Sequence, residues 1–382
     1  MSNEAYSYRG LLIDPGRYFI PADDMIKIID EMKRLNLNVL HWHLTEDQGW
    51  RIEIKAYPLL TEKGSKRSHT NFNHTPHGGY YTQEDIKRIV SYANENGIKV
   101  MPEIDLPGHS VAAIASYPFL SCFSRKLEVA THWGVKHDIL CAGKDSTYEF
   151  YKKVFDEVME LFPDGMIHLG GDEVPKTRWK LCPDCQKKIK ELGLKDEENL
   201  QNYFMEYFSS YIKEKGFTAF RWAESEEDMK KCRASSCVPM YYGKGKAPCD
   251  IPHVDCASDA FYFDLPYGYV PYKNTASHVP GEGCIGVEGC LWGEYIPDWK
   301  TGKKKLYPRG YALSQIACGE KVKPSKYDKD PVCNPNPIRA FFSRLYFEKR
   351  QLTWEGLTIL KDNKKVEKEF GKIGRASCRE RV

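Results

Sequence analysis

Ile167-His168-Leu169-Gly170-Gly171-Asp172-Glu173 is the stretch on which the reading of the fold turns. An apolar run of strand length meets two glycines and then two adjacent carboxylates. Glycines at a strand end allow a tight turn or a close approach to a ligand. Neighbouring side chains on an extended backbone point to opposite sides, so two adjacent acids need not share one role. Mutual repulsion and burial can lift one carboxyl into the general-acid range. A solvated acidic turn is the plain alternative, and the Asp-Glu pair alone does not decide between them.

The same pattern, an apolar strand followed by polar residues, recurs on both sides of this stretch. Strands are expected at Tyr8–Ile13, Val39–Leu44, Lys99–Ile104, Met166–Gly170, Thr218–Trp222, Cys237–Tyr242, Ala260–Phe263 and Cys284–Trp292. Between them lie helical periods at Pro21–Leu35, Gln83–Asn96, Thr147–Leu161 and Leu200–Lys215, two of them closed by Gly97 and Gly216. Strands alternating with helices argue an α/β protein with a parallel sheet. Eight such units suit a closed (β/α)8 TIM barrel, irregular in its last units, rather than an open doubly wound sheet. No Gly-x-Gly-x-x-Gly follows the first strand and no phosphate loop occurs. The polar segments Thr45–Trp50, Leu106–Ser110, Glu173–Lys176, Ala223–Ser225 and Gly293–Tyr295 all follow strands, and in such a barrel they rise at one face, where active sites form.

Composition narrows the function. The chain has 382 residues, with 56 basic against 53 acidic side chains, so it lacks the basic excess of a nucleic-acid binder. No run approaches the roughly 20 apolar residues that span a bilayer. Residues 1–360 read as one barrel domain. Residues 361–382 read as a charged, disordered tail whose end, Gly374–Val382, looks foreign to the gene. Met1 to Tyr8 is polar and does not resemble a signal peptide, and the 13 cysteines form no dense framework. A cytoplasmic setting with reduced thiols is the expectation.

Two further segments carry chemistry. His41-Trp42-His43-Leu44-Thr45-Glu46-Asp47-Gln48-Gly49-Trp50-Arg51 ends a strand in polar and aromatic groups. His41 and His43 share one strand face, which allows either a metal site or packing inside the barrel. Met101-Pro102-Glu103-Ile104-Asp105-Leu106-Pro107-Gly108-His109-Ser110 again puts acids and a histidine at a strand end. Cys182-Pro183-Asp184-Cys185 has the spacing of half a zinc site or of a redox pair. With no second pair at matching spacing, a structural loop with free thiols is expected.

Together these segments resemble glycoside hydrolase family 20, the β-N-acetylhexosaminidases. So do Tyr8-Arg9-Gly10-Leu11-Leu12-Ile13-Asp14, Arg221-Trp222-Ala223-Glu224, Tyr262-Phe263-Asp264 and Leu291-Trp292-Gly293-Glu294. The match runs in family order from about Tyr8 to Ala317. It implies a βα barrel that removes terminal β-linked N-acetylhexosamine from glycans. In the family mechanism the sugar's own 2-acetamido oxygen attacks the anomeric carbon, an exception to the two-carboxylate rule. The resemblance makes Glu173 the general acid, Asp172 the carboxylate that orients the acetamido group, and Tyr262 the phenol that hydrogen-bonds its oxygen. It makes Asp47 and His109 the relay behind Glu173, with Glu46 as the alternative acid. Trp222 and Trp292 become pocket walls, and Arg9, Asp264 and Glu294 hold sugar hydroxyls. Tyr241 stands near where many members carry a further pocket tryptophan. The small domain that usually precedes the barrel has no counterpart before Tyr8. No metal or organic cofactor is implied. The expected partner is a glycan, with no nucleic acid and no membrane, and the oligomeric state is open. The competing readings are a glycan-binding barrel without catalysis and a glycosidase with a carboxylate nucleophile.

Overall fold

The strands pair in chain order and close on themselves. In the computed structural model, which describes residues 5–71, 74–341 and 343–345, eight parallel strands form one barrel. They are β1 (Tyr8–Ile13), β2 (Val39–His43), β3 (Lys99–Glu103), β4 (Met166–His168), β5 (Thr218–Ala223), β6 (Cys237–Tyr241), β7 (His253–Asp255) and β8 (Cys284–Leu291), with β8 pairing back onto β1. The connecting helices include α1 (Ala22–Arg34), α2 (Gln83–Glu95), α3 (Val111–Ser116), α4 (Asp145–Leu161), α5 (Thr177–Leu181), α6 (Pro183–Glu191), α7 (Glu197–Glu214), α8 (Glu226–Ala234) and α9 (Ser258–Phe261), followed after β8 by α10 (Trp299–Leu306) and α11 (Arg309–Ala317); shorter helical segments lie at Leu59–Glu62 and Tyr272–Ser277. The tail 361–382 lies outside the described residues, as does the end of the barrel segment beyond residue 345. Among the described residues no helix is long and apolar enough to cross a membrane.

Local chemistry explains the elements. α1 buries Met25, Ile28, Ile29 and Met32 on one stripe, with Asp23 and Asp24 in its first turn and Lys33 and Arg34 in its last, matching the helix dipole. α2 begins with a capping box between Thr82 and Asp85, which satisfies free N–H groups at its start. Strand residues divide by parity. Leu11, Leu40, Trp42, Val100 and Ile167 pack outward against the helices. Leu12, Val39, Met101, Phe220, Met240 and Cys290 pack together inside the barrel.

The last units are irregular, as expected, but one strand is misplaced in the sequence reading. Ala260–Phe263 is not a strand: Ser258–Phe261 is a short helix, and Tyr262 makes a single bridge to Cys290. The seventh strand is His253–Asp255, three residues long. So short a strand has too few alternations to stand out. No helix or strand intervenes between β6 and β7.

The loop after β1 is held by a buried cation. Arg51 is fully buried and donates to the carbonyls of Pro15 (2.8 Å), Gly16 (3.0 Å), Ser65 (2.7 Å) and Gly79 (2.9 Å). Burial pulls its pKa down to about 9, so it stays charged at neutral pH. Replacing it strands several buried acceptors. Arg51→Met is expected to lower unfolding free energy by about 3 kcal/mol, read as a lower urea midpoint with an unchanged slope.

Candidate active site

The C-terminal ends of the strands open into a cavity of about 590 Å3, within the range of small-ligand sites. Its lining includes Arg17, His109, Asp172, Glu173, Tyr262, Trp292 and Glu294. Asp172 and Glu173 arrive through the glycine turn after β4. Gly170 and Gly171 adopt φ of +66° and +91°. A Cβ on Gly170 would lie 1.7 Å from Asp105 Oδ1, and one on Gly171 would lie 2.8 Å from Arg221 Nε. Only glycine fits this close passage.

His109 faces both acids from the loop after β3. Its Nε2 lies 3.5 Å from Glu173 Oε2 and 3.9 Å from Asp172 Oδ2. Both His109 and Glu173 have φ of +46°, the left-handed region that costs a non-glycine residue on the order of 1 kcal/mol or more. Two facing strained residues mark the contact as one the surrounding fold enforces.

The two neighbouring acids sit in different environments. Burial, with the charges of Glu103 and Glu173 adding to it and His109 opposing, raises Asp172 to about 6. Its Oδ1 is buried with no partner in the protein. Glu173 is half-exposed, and its hydrogen bond to His109 holds its pKa below the usual value. Burial draws His109 down, but the Glu46 charge and its hydrogen bonds to Asp47, Glu173 and Glu46 more than offset that, so it stays protonated.

Opposite the acids stands an aromatic wall. Trp292 is 6.1 Å from the ring of Tyr262 and 5.6 Å from that of Trp222. Trp222 lies deeper, donating from Nε1 to Glu103 Oε1 at 2.8 Å. Burial pushes the Tyr262 phenol well above its ordinary value, which keeps it a neutral donor. Glu294 lies at one edge, and Asp264 is buried behind it with an unpartnered Oδ1. Burial and the nearby Glu294 raise Asp264 to about 7.

Three residues singled out from sequence fall elsewhere. Arg9 is near the N-terminal end of β1, where its guanidinium donates to the carbonyls of Asn36 (2.7 Å) and Tyr6 (2.8 Å), at the opposite end of the barrel from the cavity. The arginine at the cavity is Arg17, in the loop after β1. It lies 2.7 Å from Asp14, 3.1 Å from Glu46 and 3.3 Å from Glu294, with its guanidinium 5.3 Å from the Trp292 ring. Position after a strand, rather than within it, was the available signal. Asp47 is not the main partner of His109: Glu46 Oε1 is 2.9 Å from His109 Nδ1, against 3.7 Å for Asp47. Asp47 instead accepts from the N–H of Val111 at the start of α3. Tyr241 packs outward and donates to the carbonyl of Lys244, so Tyr242, one residue on, lines the cavity. Asp105, to which the sequence motifs give no role, also lines the cavity.

Comparison with known proteins points to one family. The family model for the glycosyl hydrolase family 20 catalytic domain matches residues 6–319. A beta-hexosaminidase of Porphyromonas gingivalis is 39% identical over 337 residues, covering 82% of this chain but 43% of the relative. One from Akkermansia muciniphila is 32% identical, covering 81% of this chain and 68% of the relative. The crystal structure of a beta-N-acetylhexosaminidase from Bacteroides fragilis superposes with a TM-score of 0.68 at 28% identity, over 94% of this chain and 75% of that one. The chain thus spans less than half the length of the first of these relatives. With a closed eightfold barrel, paired acids after its fourth strand and a family match over more than three hundred residues, this chain belongs to glycosyl hydrolase family 20.

Proposed function

We propose that this chain is an exo-acting β-N-acetylhexosaminidase that hydrolyses terminal β-linked N-acetylhexosamine from glycans with retention. The observation that carries the reading is the division of labour between Asp172 and Glu173. One is set back in the cavity with an unpartnered oxygen, and the other is half-exposed beside a protonated histidine.

A 2-acetamido group placed between Asp172 and Tyr262 satisfies both. Its N–H donates to Asp172, and its carbonyl oxygen accepts from the Tyr262 phenol. That pose directs the carbonyl oxygen at the anomeric carbon, so attack is effectively unimolecular. As the glycosidic bond breaks, positive charge spreads over the new five-membered ring, and the Asp172 carboxylate stabilises it. Glu173 protonates the departing oxygen, then removes a proton from the water that opens the ring. Trp292 and Trp222 present apolar faces to the sugar and its acetyl methyl. Glu294 and Arg17 offer hydrogen bonds to ring hydroxyls at the far edge.

Protonation in the free site runs opposite to this need, and substrate reverses it. An amide N–H on Asp172 favours its ionised form, while a sugar covering Glu173 removes water and favours its neutral form. The free-enzyme pKa of Asp172 therefore sets the alkaline side of kcat/KM. Because the reactive form carries one proton, on Glu173, and the free site loses its last proton from Asp172 at about 6, kcat/KM should fall as pH rises through about 6. In the residual activity of Asp172→Asn that limb should move down to the lower pKa of Glu173.

The direct test is turnover of aryl N-acetyl-β-glucosaminide and galactosaminide. Glu173→Gln should reduce kcat/KM by about 10²–10⁴-fold. Failure of wild type to turn over any 2-acetamido sugar would defeat the assignment. Equal activity on the matching 2-hydroxy sugar would defeat the assisted mechanism alone. Glu46→Gln should lower the His109 pKa more than Asp47→Asn does, followed by NMR titration of the imidazole, because Glu46 supplies the nearer charge.

A further inference from the structure

Four cysteines far apart in sequence converge beside the catalytic loops. Cys182 lies between α5 and α6, Cys185 in the first turn of α6, and Cys122 and Cys141 at the two ends of the excursion that follows α3. All four are buried, and their sulfurs lie within 4.8 Å of one another. The separations are 3.6 Å for Cys141–Cys185, 3.7 Å for Cys141–Cys182 and 3.9 Å for Cys122–Cys185. A tetrahedron with zinc–sulfur bonds of about 2.3 Å has edges of about 3.8 Å. A disulfide needs about 2.05 Å, and the ligand sulfurs of a polynuclear cluster stand further apart than these. We infer that Cys122, Cys141, Cys182 and Cys185 form a closed tetrathiolate site for one structural zinc ion.

The surroundings fit a thiolate cluster. Cys182 and Cys185 flank the N-terminal turn of α6, whose dipole favours negative charge. The backbone N–H of Gly143 hydrogen-bonds the Cys141 sulfur. Gly143 lacks a side chain because a Cβ there would lie 2.2 Å from the carbonyl carbon of Asp184 and 2.3 Å from Cys185 N. That close passage brings the Cys141 segment onto the Cys182–Cys185 turn. The Cys122–Cys141 end is closed by a bridge between Ser121 and Leu140 and by the Cys141 N–H donating to the Leu120 carbonyl at 2.7 Å. The expectation of free thiols at Cys182 and Cys185 came from the spacing of one pair. The second pair is split by eighteen intervening residues, a spacing no short motif records.

The site joins two loops that deliver chemistry. Leu140, next to Cys141, donates its N–H to the carbonyl of Pro107, two residues before His109. Cys182 lies nine positions beyond Glu173, past α5. An ion held by all four sulfurs would fix the His109 loop to the Glu173 loop from the outside.

The test is metal content. Full-length protein purified without chelator should carry about one zinc per chain by plasma mass spectrometry. Cys122→Ser/Cys141→Ser should retain less than a tenth of that. Because this variant can fail to fold, wild type serves as its own control. A mercurial thiol reagent should release the zinc to a colorimetric dye, and stripping should lower the thermal midpoint by about 10 °C or more. Cobalt loaded in its place should show thiolate charge transfer and the intense visible bands of a tetrahedral ion. Four titratable thiols in metal-free native protein, an intact mass short by four hydrogens (two disulfides), or stoichiometric iron would each overturn the assignment.

Discussion

One buried carboxylate organises the barrel beneath the cavity. Glu103, the last residue of β3, accepts from Trp222 Nε1 and hydrogen-bonds His43 Nδ1, while His41 Nε2 lies 3.2 Å away and His168 Nδ1 2.9 Å away. Its side chain is fully buried. Burial alone would push its pKa up, yet the charge of His43 and the bonds from its other neighbours hold it well down. An ionised carboxylate there is sustained only because donors from β2 and β5 converge on it, with His168 of β4 close beside it. Removing one partner of such a set typically costs about 3–5 kcal/mol, since the charge left behind stays buried. The same group fixes the Trp222 ring, so the floor of the cavity and the register of four strands depend on one interaction.

That polar core continues downward and explains a glycine. His41 Nδ1 lies 2.9 Å from Glu288 Oε1, and Tyr8 donates to Glu288 Oε2 at 2.5 Å. Gly10 faces Glu288 across the β1–β8 pair, and a Cβ there would lie 2.5 Å from Glu288 Oε2. Much of the barrel's centre is therefore a hydrogen-bonded network rather than the branched aliphatic layers common in such folds. The contacts among Tyr8, His41, Glu103 and Glu288 tie β1, β2, β3 and β8 into one unit. His41 and His43, which share one strand face, are both engaged with carboxylates inside the barrel.

What the sequence made legible follows from period and order. Apolar runs ending in glycine or polar residues located seven of the eight strands and the face on which the loops gather. Residue types brought Asp172, Glu173, His109, Tyr262, Trp292 and Glu294 to one cavity. What stayed hidden depends on parity and on chain paths between elements. Tyr241 and Tyr242 differ by one residue, and one step on a strand swaps barrel interior for helix-facing exterior. Glu46 and Asp47 are adjacent in a tight two-strand turn, where the backbone conformation decides which carboxylate turns toward His109. Arg9 lies near the start of the first strand and Arg17 beyond its end, and only the direction of the chain through the barrel says which end each occupies. The cysteine cluster needed the path of the whole excursion from Cys122 to Cys141.

Rigidity at the site comes from two directions, and the chemistry needs both. From below, the Glu103 network fixes Trp222 and the strand ends. From the side, the loops carrying His109 and Glu173 are clamped together. Arg178 on α5 makes a two-pronged contact with Asp138 at 3.0 and 3.2 Å, and Trp179 donates to the Leu140 carbonyl at 2.9 Å. These contacts lie on the chain between Glu173 and Cys182, so the cysteine cluster and the Arg178–Asp138 pair brace the same seam. Intramolecular attack gains its advantage only while the reacting atoms stay near contact distance, and a displacement of about 1 Å erodes it by around a hundredfold. Glu173 is half-exposed and sits in a left-handed backbone conformation that it does not favour by itself. A side chain so placed would drift unless its loop were held from outside the cavity, and the seam with the Cys141 segment is where the fold applies that hold.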